Sequence, residues 1–158
     1  MTAVMRVPWT NRLTKMIREP GGLRVGDALD AAQTNLESIR EDCLKAIDAR
    51  LETLEQLHHQ TLAGDRPELR DEIYAQAADI QSVAGVYGLD ELGQAAFSLC
   101  DLVDRLRSVD RWDRQAVAVH LNALRLFRNP QPEAAAAVLE GLQRITGRLP
   151  RPAAAEPA

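Results

Sequence analysis

From Asp27 onward, apolar residues return every three or four positions: Leu29, Ala32, Leu36, Ile39, Cys43, Ile47, Leu51, Leu54, His58 and Leu62. That spacing predicts one amphipathic helix of roughly nine turns, with this stripe turned inward. Its other side carries Glu37, Arg40, Glu41, Lys45 and Glu52, a mixed solvated face with opposite charges three or four apart. The stretch "AGDRPE" at 63–68 stops it, Asp65 being placed to cap the next helix and Pro67 to sit in its first turn. That second helix is expected over 67–86 and ends before Gly88. A third follows over 89–107, with Leu89, Leu92, Ala96, Leu99, Val103 and Leu106 on one face. "SVDRWD" reads as a turn with Asp110 as cap and Asp113 completing a variant capping box, so a fourth helix is expected over 111–128 with Val117, Leu121, Leu124 and Phe127 inward. "NPQPE" then separates a last helix, 131–146, carrying Ala135, Val138, Leu139, Leu142 and Ile145.

Ahead of these lies a short basic amphipathic piece, "NRLTKMIR", with Leu13, Met16 and Ile17 on one side and "EPGG" stopping it. Residues 1–26 are therefore read as an extension with a short helix, 27–147 as the bundle, and 148–158 as a disordered Pro/Ala-rich tail. No segment alternates with period two for long enough to make a strand, so the fold class is all-α. Short connections between long helices imply an antiparallel, up-down bundle.

Composition narrows the picture. Of the 158 residues 46% are hydrophobic but only 4% aromatic, so the core must be built from Leu, Ala, Val and Ile, a mixture that favours helices. The net charge of -4 is spread over both signs. No basic stripe tracks a nucleic-acid backbone, and an acidic balance disfavours an anionic membrane surface, so neither is expected as a partner. No apolar run approaches the roughly 18 residues of a membrane span, and the N-terminus lacks an apolar signal core, which leads to a cytoplasmic expectation. Cys43 and Cys100 sit at helical spacing among apolar residues and read as buried thiols. Adjacent His58 and His59 diverge by about 100° on a helix, so no metal site and no cofactor is expected. Trp9 and Trp112 read as packing residues, Trp112 sealing one end of the bundle.

The helix over 67–86 has an unusual outer side. Ile73, Ala77, Ile80, Ala84 and Tyr87 form the inward stripe. Beside it runs Ala75, Ala78, Ser82 and Gly85, flanked by Gln76, Asp79 and Gln81. A solvated helix face usually carries Lys, Glu and Arg, whereas this one is small and weakly charged. Two occupants fit it: a docking partner, or the chain's own terminal helices.

These residues resemble a known family. "ADIQSVAGVYGLDEL" resembles the central signature of histidine phosphotransfer (Hpt) domains, four-helix bundles that relay phosphoryl groups between sensor kinases and receiver domains. Gly88 stands where that signature ends its helix, and Leu89, Glu91 and Leu92 match the start of the next. Gly85 and Tyr87 are similar to the first domain of the chemotaxis kinase CheA. "AVHLNALRLF" and "SLCDLVD" resemble stand-alone Hpt proteins common in alphaproteobacteria. The resemblance covers about residues 27–128. It implies an Hpt-like four-helix bundle with a long first helix, an extra C-terminal helix and a short N-terminal helical segment.

The departures are as informative. The resemblance puts Ala78 at the phosphoacceptor histidine, Gln81 at the following cation and Ser82 at the glycine after it. Phosphoryl relay needs a nucleophilic imidazole and a cation to balance phosphate charge, and neither is supplied here. The resemblance then implies a binding module in bacterial chemotaxis or two-component signalling, without catalytic residues, docking a CheY-like receiver domain or another chemotaxis protein through Ala75, Ala78, Asp79, Gln81, Ser82 and Gly85. Two enzyme-like alternatives stand beside it: a receiver phosphatase in which Gln81 orients water, and a phosphotransferase using His120. His120, next to Leu121 and Leu124, equally suits a buried structural role. A homodimer is a further expectation, because the first helix would reach roughly 50 Å against about 30 Å for its neighbour.

Overall fold

A computed structural model describes residues 25–64, 66–129 and 132–151. The expected N-terminal helix at 11–18, the Asp65 cap, Trp9 and most of the tail lie outside the described residues. The described residues form five α-helices and a 3-10 turn, with no strand among them: α1 (Val25–Ala63), α2 (Pro67–Ala84), the turn (Gly85–Tyr87), α3 (Asp90–Ser108), α4 (Arg114–Arg128) and α5 (Pro132–Thr146). None is long and apolar enough to cross a membrane. The chain divides into two units at residues 39 and 40, so the first fifteen residues of α1 belong to one and everything after them to the other.

Within 40–151, α3 is the central element. It packs against α2, α4 and α5, and α4 also packs against α5. The single stripe expected on α3 is buried throughout, but so are Ala95, Ser98, Cys100, Leu102 and Arg105. A helix with neighbours on three sides cannot be amphipathic in the simple sense, and its burial spreads around the axis. Arg105 is the exception in chemistry: its guanidinium bonds Asp101 at 2.9 Å and the Leu149 carbonyl at 2.9 Å, which ties the chain beyond α5 to the core. Leu149, within the stretch read as tail, packs on the core.

Residues 40–63 of α1 contribute Ile47, Leu51, Leu54, Leu57 and Thr61. Side chains pin this stretch to both neighbours. Arg50 reaches Asp79 of α2 at 3.3 Å, and the Arg128 fork of α4 holds Asp48 at 2.6 and 2.9 Å, with Arg125 paired to Glu55. The expected stripe is corrected at both ends. Leu29, Leu36 and Ile39 are exposed, and near the C-terminus Leu57 and Thr61 are buried where His58 and Leu62 were expected. The buried arc rotates in the last turns, as it does when a straight helix crosses its neighbours at an angle.

Both turns around α3 depend on a left-handed residue. Gly88 has φ 70°, and the Leu89 N–H returns to the Ala84 carbonyl at 3.0 Å, closing α2. After α3, Asp110 takes φ 45°, with its N–H on the Arg107 carbonyl and the Arg111 N–H on that of Leu106. Asp110 therefore ends α3 and does not cap α4. The cap is Asp113, whose Oδ1 accepts the Ala116 N–H at 3.0 Å, so α4 starts three residues later than its sequence suggests. Trp112, half-buried, lies at this end with the Arg70 guanidinium 5.5 Å over its ring.

Candidate functional site

The small-residue face expected on α2 is open. Ala75, Ser82 and Gly85 are exposed and Ala78 is half-buried, at steps of three, four and three along one side of the helix. Within residues 40–151 no described helix covers it. A Cβ built on Gly85 would meet nothing within 4 Å, so packing inside this chain does not require glycine there. The Ser82 hydroxyl donates to the Asp79 carbonyl at 2.8 Å, folding back on its own helix and keeping the face low. Asp79 turns its carboxylate to Arg50 of α1, and Gln81 is exposed beside it. Beyond Gly85 the face runs into exposed Val86 and half-buried Tyr87, whose hydroxyl accepts from the Cys43 thiol at 3.0 Å. The arrangement is a shallow, nearly uncharged strip rimmed by one ion pair. It carries no imidazole or thiol, its one hydroxyl, Ser82, is turned back on its own helix, and it is low enough to accept another helix at close range.

His120 lies elsewhere, in the core between α3, α4 and α5. It is wholly buried. Its Nδ1–H donates to the Ala116 carbonyl one turn back at 2.8 Å, which leaves Nε2 as an acceptor for the Ser98 hydroxyl at 3.0 Å. Thr146 adds its hydroxyl 3.4 Å from both and itself bonds the Leu142 carbonyl. Burial pushes the His120 pKa down, partly opposed by the Ala116 hydrogen bond, so the imidazole is neutral in the fold. A serine donating to a histidine fixed in this tautomer has the outline of an activated nucleophile. Here Ser98 is itself buried, and the three side chains satisfy one another across three helices. Sequence reasoning singled out His120 but missed Ser98 and Thr146. Their spacing from His120 carries no signal, although a Ser within the apolar run of α3 hinted at a buried partner.

The remaining reactive groups do not converge. Cys43 and Cys100 are free, and burial raises the Cys100 thiol to about 11, far from a reactive thiolate. His58 and His59 have ring centroids 6.4 Å apart. Among the described residues no group of three or more His, Cys, Asp or Glu side chains is placed to hold a metal ion. Comparison with known protein families, with characterised proteins and with solved structures returned no match.

Proposed function

We propose that this chain is a degenerate Hpt-like domain: a binding module that docks a CheY-like receiver domain on the α2 face without taking up its phosphoryl group. One observation supports this above the rest. The helix position that the Hpt signature gives to the phosphoacceptor carries the methyl group of Ala78, while the surface around it, Ala75, Ser82 and Gly85, stays open and small. The left-handed conformation of Gly88, which closes this helix, supports the same reading. A scaffold of this kind would sequester a phosphorylated receiver or compete with a true phosphotransfer domain for it. The process it serves is bacterial chemotaxis or a related two-component pathway, in the cytoplasm.

His120 is a poor route to phosphotransfer. An acyl phosphate would have to reach an imidazole with no exposed surface and both nitrogens engaged. The second reading is a receiver phosphatase. Gln81 is exposed on the same face, where its amide could orient an attacking water.

The test is titration of the purified chain with each chemotaxis receiver, combined with a time course of label on the phosphorylated receiver. Binding with stable label is the expected result, and Ala78→Arg should abolish binding while helicity is unchanged. Affinity unaffected by Ala78→Arg would remove the docking face. Faster loss of label that disappears in Gln81→Ala would replace the adaptor with a phosphatase.

A further inference from the structure

A cavity of about 370 Å³ lies between α3 and α5, away from the α2 face. Phe97, Ser98, Asp101 and Arg105 of α3 line one side of it. Leu139 and Thr146 of α5 line the other, with Arg151 beyond them. Ser98 meets Thr146 and Arg105 meets the Leu149 carbonyl, so the two walls run in the same direction. The cavity therefore has two unlike ends. One carries half-buried Leu139 and Phe97, whose ring side is 59% accessible. The other carries Arg105 and exposed Arg151. From Phe97 to Arg105 is about 12 Å along the helix.

Arg105 gives the cavity its chemistry. It is only 6% accessible, and a guanidinium withdrawn this far from water needs partners for its donors. Nε donates to Asp101 and Nη1 to the Leu149 carbonyl, each at 2.9 Å, whereas Nη2 has no hydrogen-bond partner among the described residues. An unfilled amino group on a planar fork suits a carboxylate oxygen. Charge selects among anions. Arg105 and Arg151 are positive and Asp101 is negative, which leaves a single net positive charge at this end. A monoanion is neutralised there, and a phosphate dianion would leave surplus negative charge beside Asp101. The Ser98 and Thr146 hydroxyls are committed to His120 and the Leu142 carbonyl, so they form a fixed floor and leave the anion to the arginines.

We propose that this cavity binds a small amphiphilic monocarboxylate, with its carboxylate on Nη2 of Arg105 and its apolar body against Phe97 and Leu139. The volume falls within the range of small-molecule sites, about 300–1,000 Å³. An apolar body takes the Phe97 ring out of water, and the anion fills the donor that the fold leaves open. A ligand seated this way joins α3 to the chain beyond α5, alongside the tie that Arg105 already makes to Leu149. It binds the folded state alone and therefore stabilises it. The site stands apart from the α2 face and does not rest on receiver docking.

Titration of the isotopically labelled full chain with phenylbutyrate, followed by amide chemical shifts, tests this. The expected result is saturable shifts concentrated at residues 94–105 and 139–151, with a Kd on the order of 1 mM for so small a probe. Phenylbutyramide, the neutral analogue, should bind about tenfold more weakly or worse. Arg105→Gln should abolish the shifts. That variant also loses the Leu149 tie, so two exposed positions keep the test independent of folding. Phe97→Ala and Arg151→Gln should each weaken binding about threefold or more, with the thermal transition of the unliganded protein unchanged. Absence of saturable shifts at ~20 mM phenylbutyrate overturns the proposal. So does equal binding of phenylbutyramide, or affinity unchanged in both surface variants. Inorganic phosphate that displaces phenylbutyrate with equal or better affinity would assign the cavity to phosphate and overturn the monocarboxylate. No receiver is present in these titrations, so failure of docking through Ala78 would leave every outcome as it stands.

Discussion

Acid should weaken this fold through one buried side chain, and the size of the effect can be worked out. His120 is neutral and fully buried, and desolvation holds its pKa below the ordinary 6.5. The unfolded chain binds a proton at this site near pH 6.5, and the folded chain does so only at lower pH. Between those two values the unfolded state holds more protons. The stabilisation due to a neutral His120 is therefore complete above pH 6.5 and is lost as pH falls through the window below it. The slope in that window is at most about 1.4 kcal/mol per pH unit. Going from pH 7 to pH 5.5, His120 alone removes up to about 1.2 kcal/mol. His58 contributes in the same direction, its pKa lowered first by burial and then by His59 and Arg114, so the wild-type slope contains both. Replacing His120 by Gln isolates the His120 part. The amide offers an acceptor to Ser98 and a donor toward Ala116, and it does not titrate. Urea unfolding at pH 8, 7, 6 and 5.5 gives the comparison. His120→Gln should be less stable than wild type at pH 8 and should lose less stability on acidification. Parallel pH profiles for the two proteins would mean that His120 titrates alike in both states, and the argument from burial would fail.

Two further predictions concern the turns that frame α3. Asp113→Ala removes the side-chain cap of α4 and should lower stability by about 1 kcal/mol, read as a shift in the urea midpoint with unchanged m-value. Gly88→Ala puts a side chain on a residue with φ 70°, where a Cβ would meet no neighbour within 4 Å, so the cost is backbone strain alone, about 1 kcal/mol. A Gly88→Asn variant should recover part of that loss, because Asn tolerates the left-handed region better; equal loss in both would point to another role for the glycine.

The order and identity of the helices were legible in the spacing of apolar residues, and most boundaries fell within a residue or two. What spacing could not supply is which element covers a given stripe. Leu29, Leu36 and Ile39 obey the same rule as Ile47, Leu51 and Leu54, yet only the second group is buried. Periodicity records that a face is apolar, and the occupant of that face lies elsewhere in the chain or outside it. The start of α4 was misread for a different reason. Asp110 and Asp113 both suit a cap, and the choice between them depends on α3 needing a left-handed residue to close it. Nor does anything in the sequence mark Arg105 as buried; its partners, the Asp101 carboxylate and the Leu149 carbonyl, are supplied only by the fold. At the candidate site the sequence identified the small face on α2 and its openness was visible only in three dimensions, because adjacent helices, not composition, decide what is covered.

The α2 face allows an adaptor to be told apart from a relic. If Ala78 simply records lost activity, nothing keeps the surrounding surface small, and Gly85 is the informative residue: it lies within a helical turn, has room for a side chain, and carries the usual entropic cost of glycine. Gly85→Ala should then stabilise the fold slightly, by about 0.5 kcal/mol, whatever the face does. The two readings diverge on larger side chains. A relic tolerates Gly85→Gln with full retention of any receiver affinity, since no partner backbone comes near. An adaptor loses affinity with Gly85→Gln and keeps it with Gly85→Ala, because a docking helix at close range has space for a methyl group and none for an amide side chain. Affinity and stability therefore move independently only if the strip has a partner.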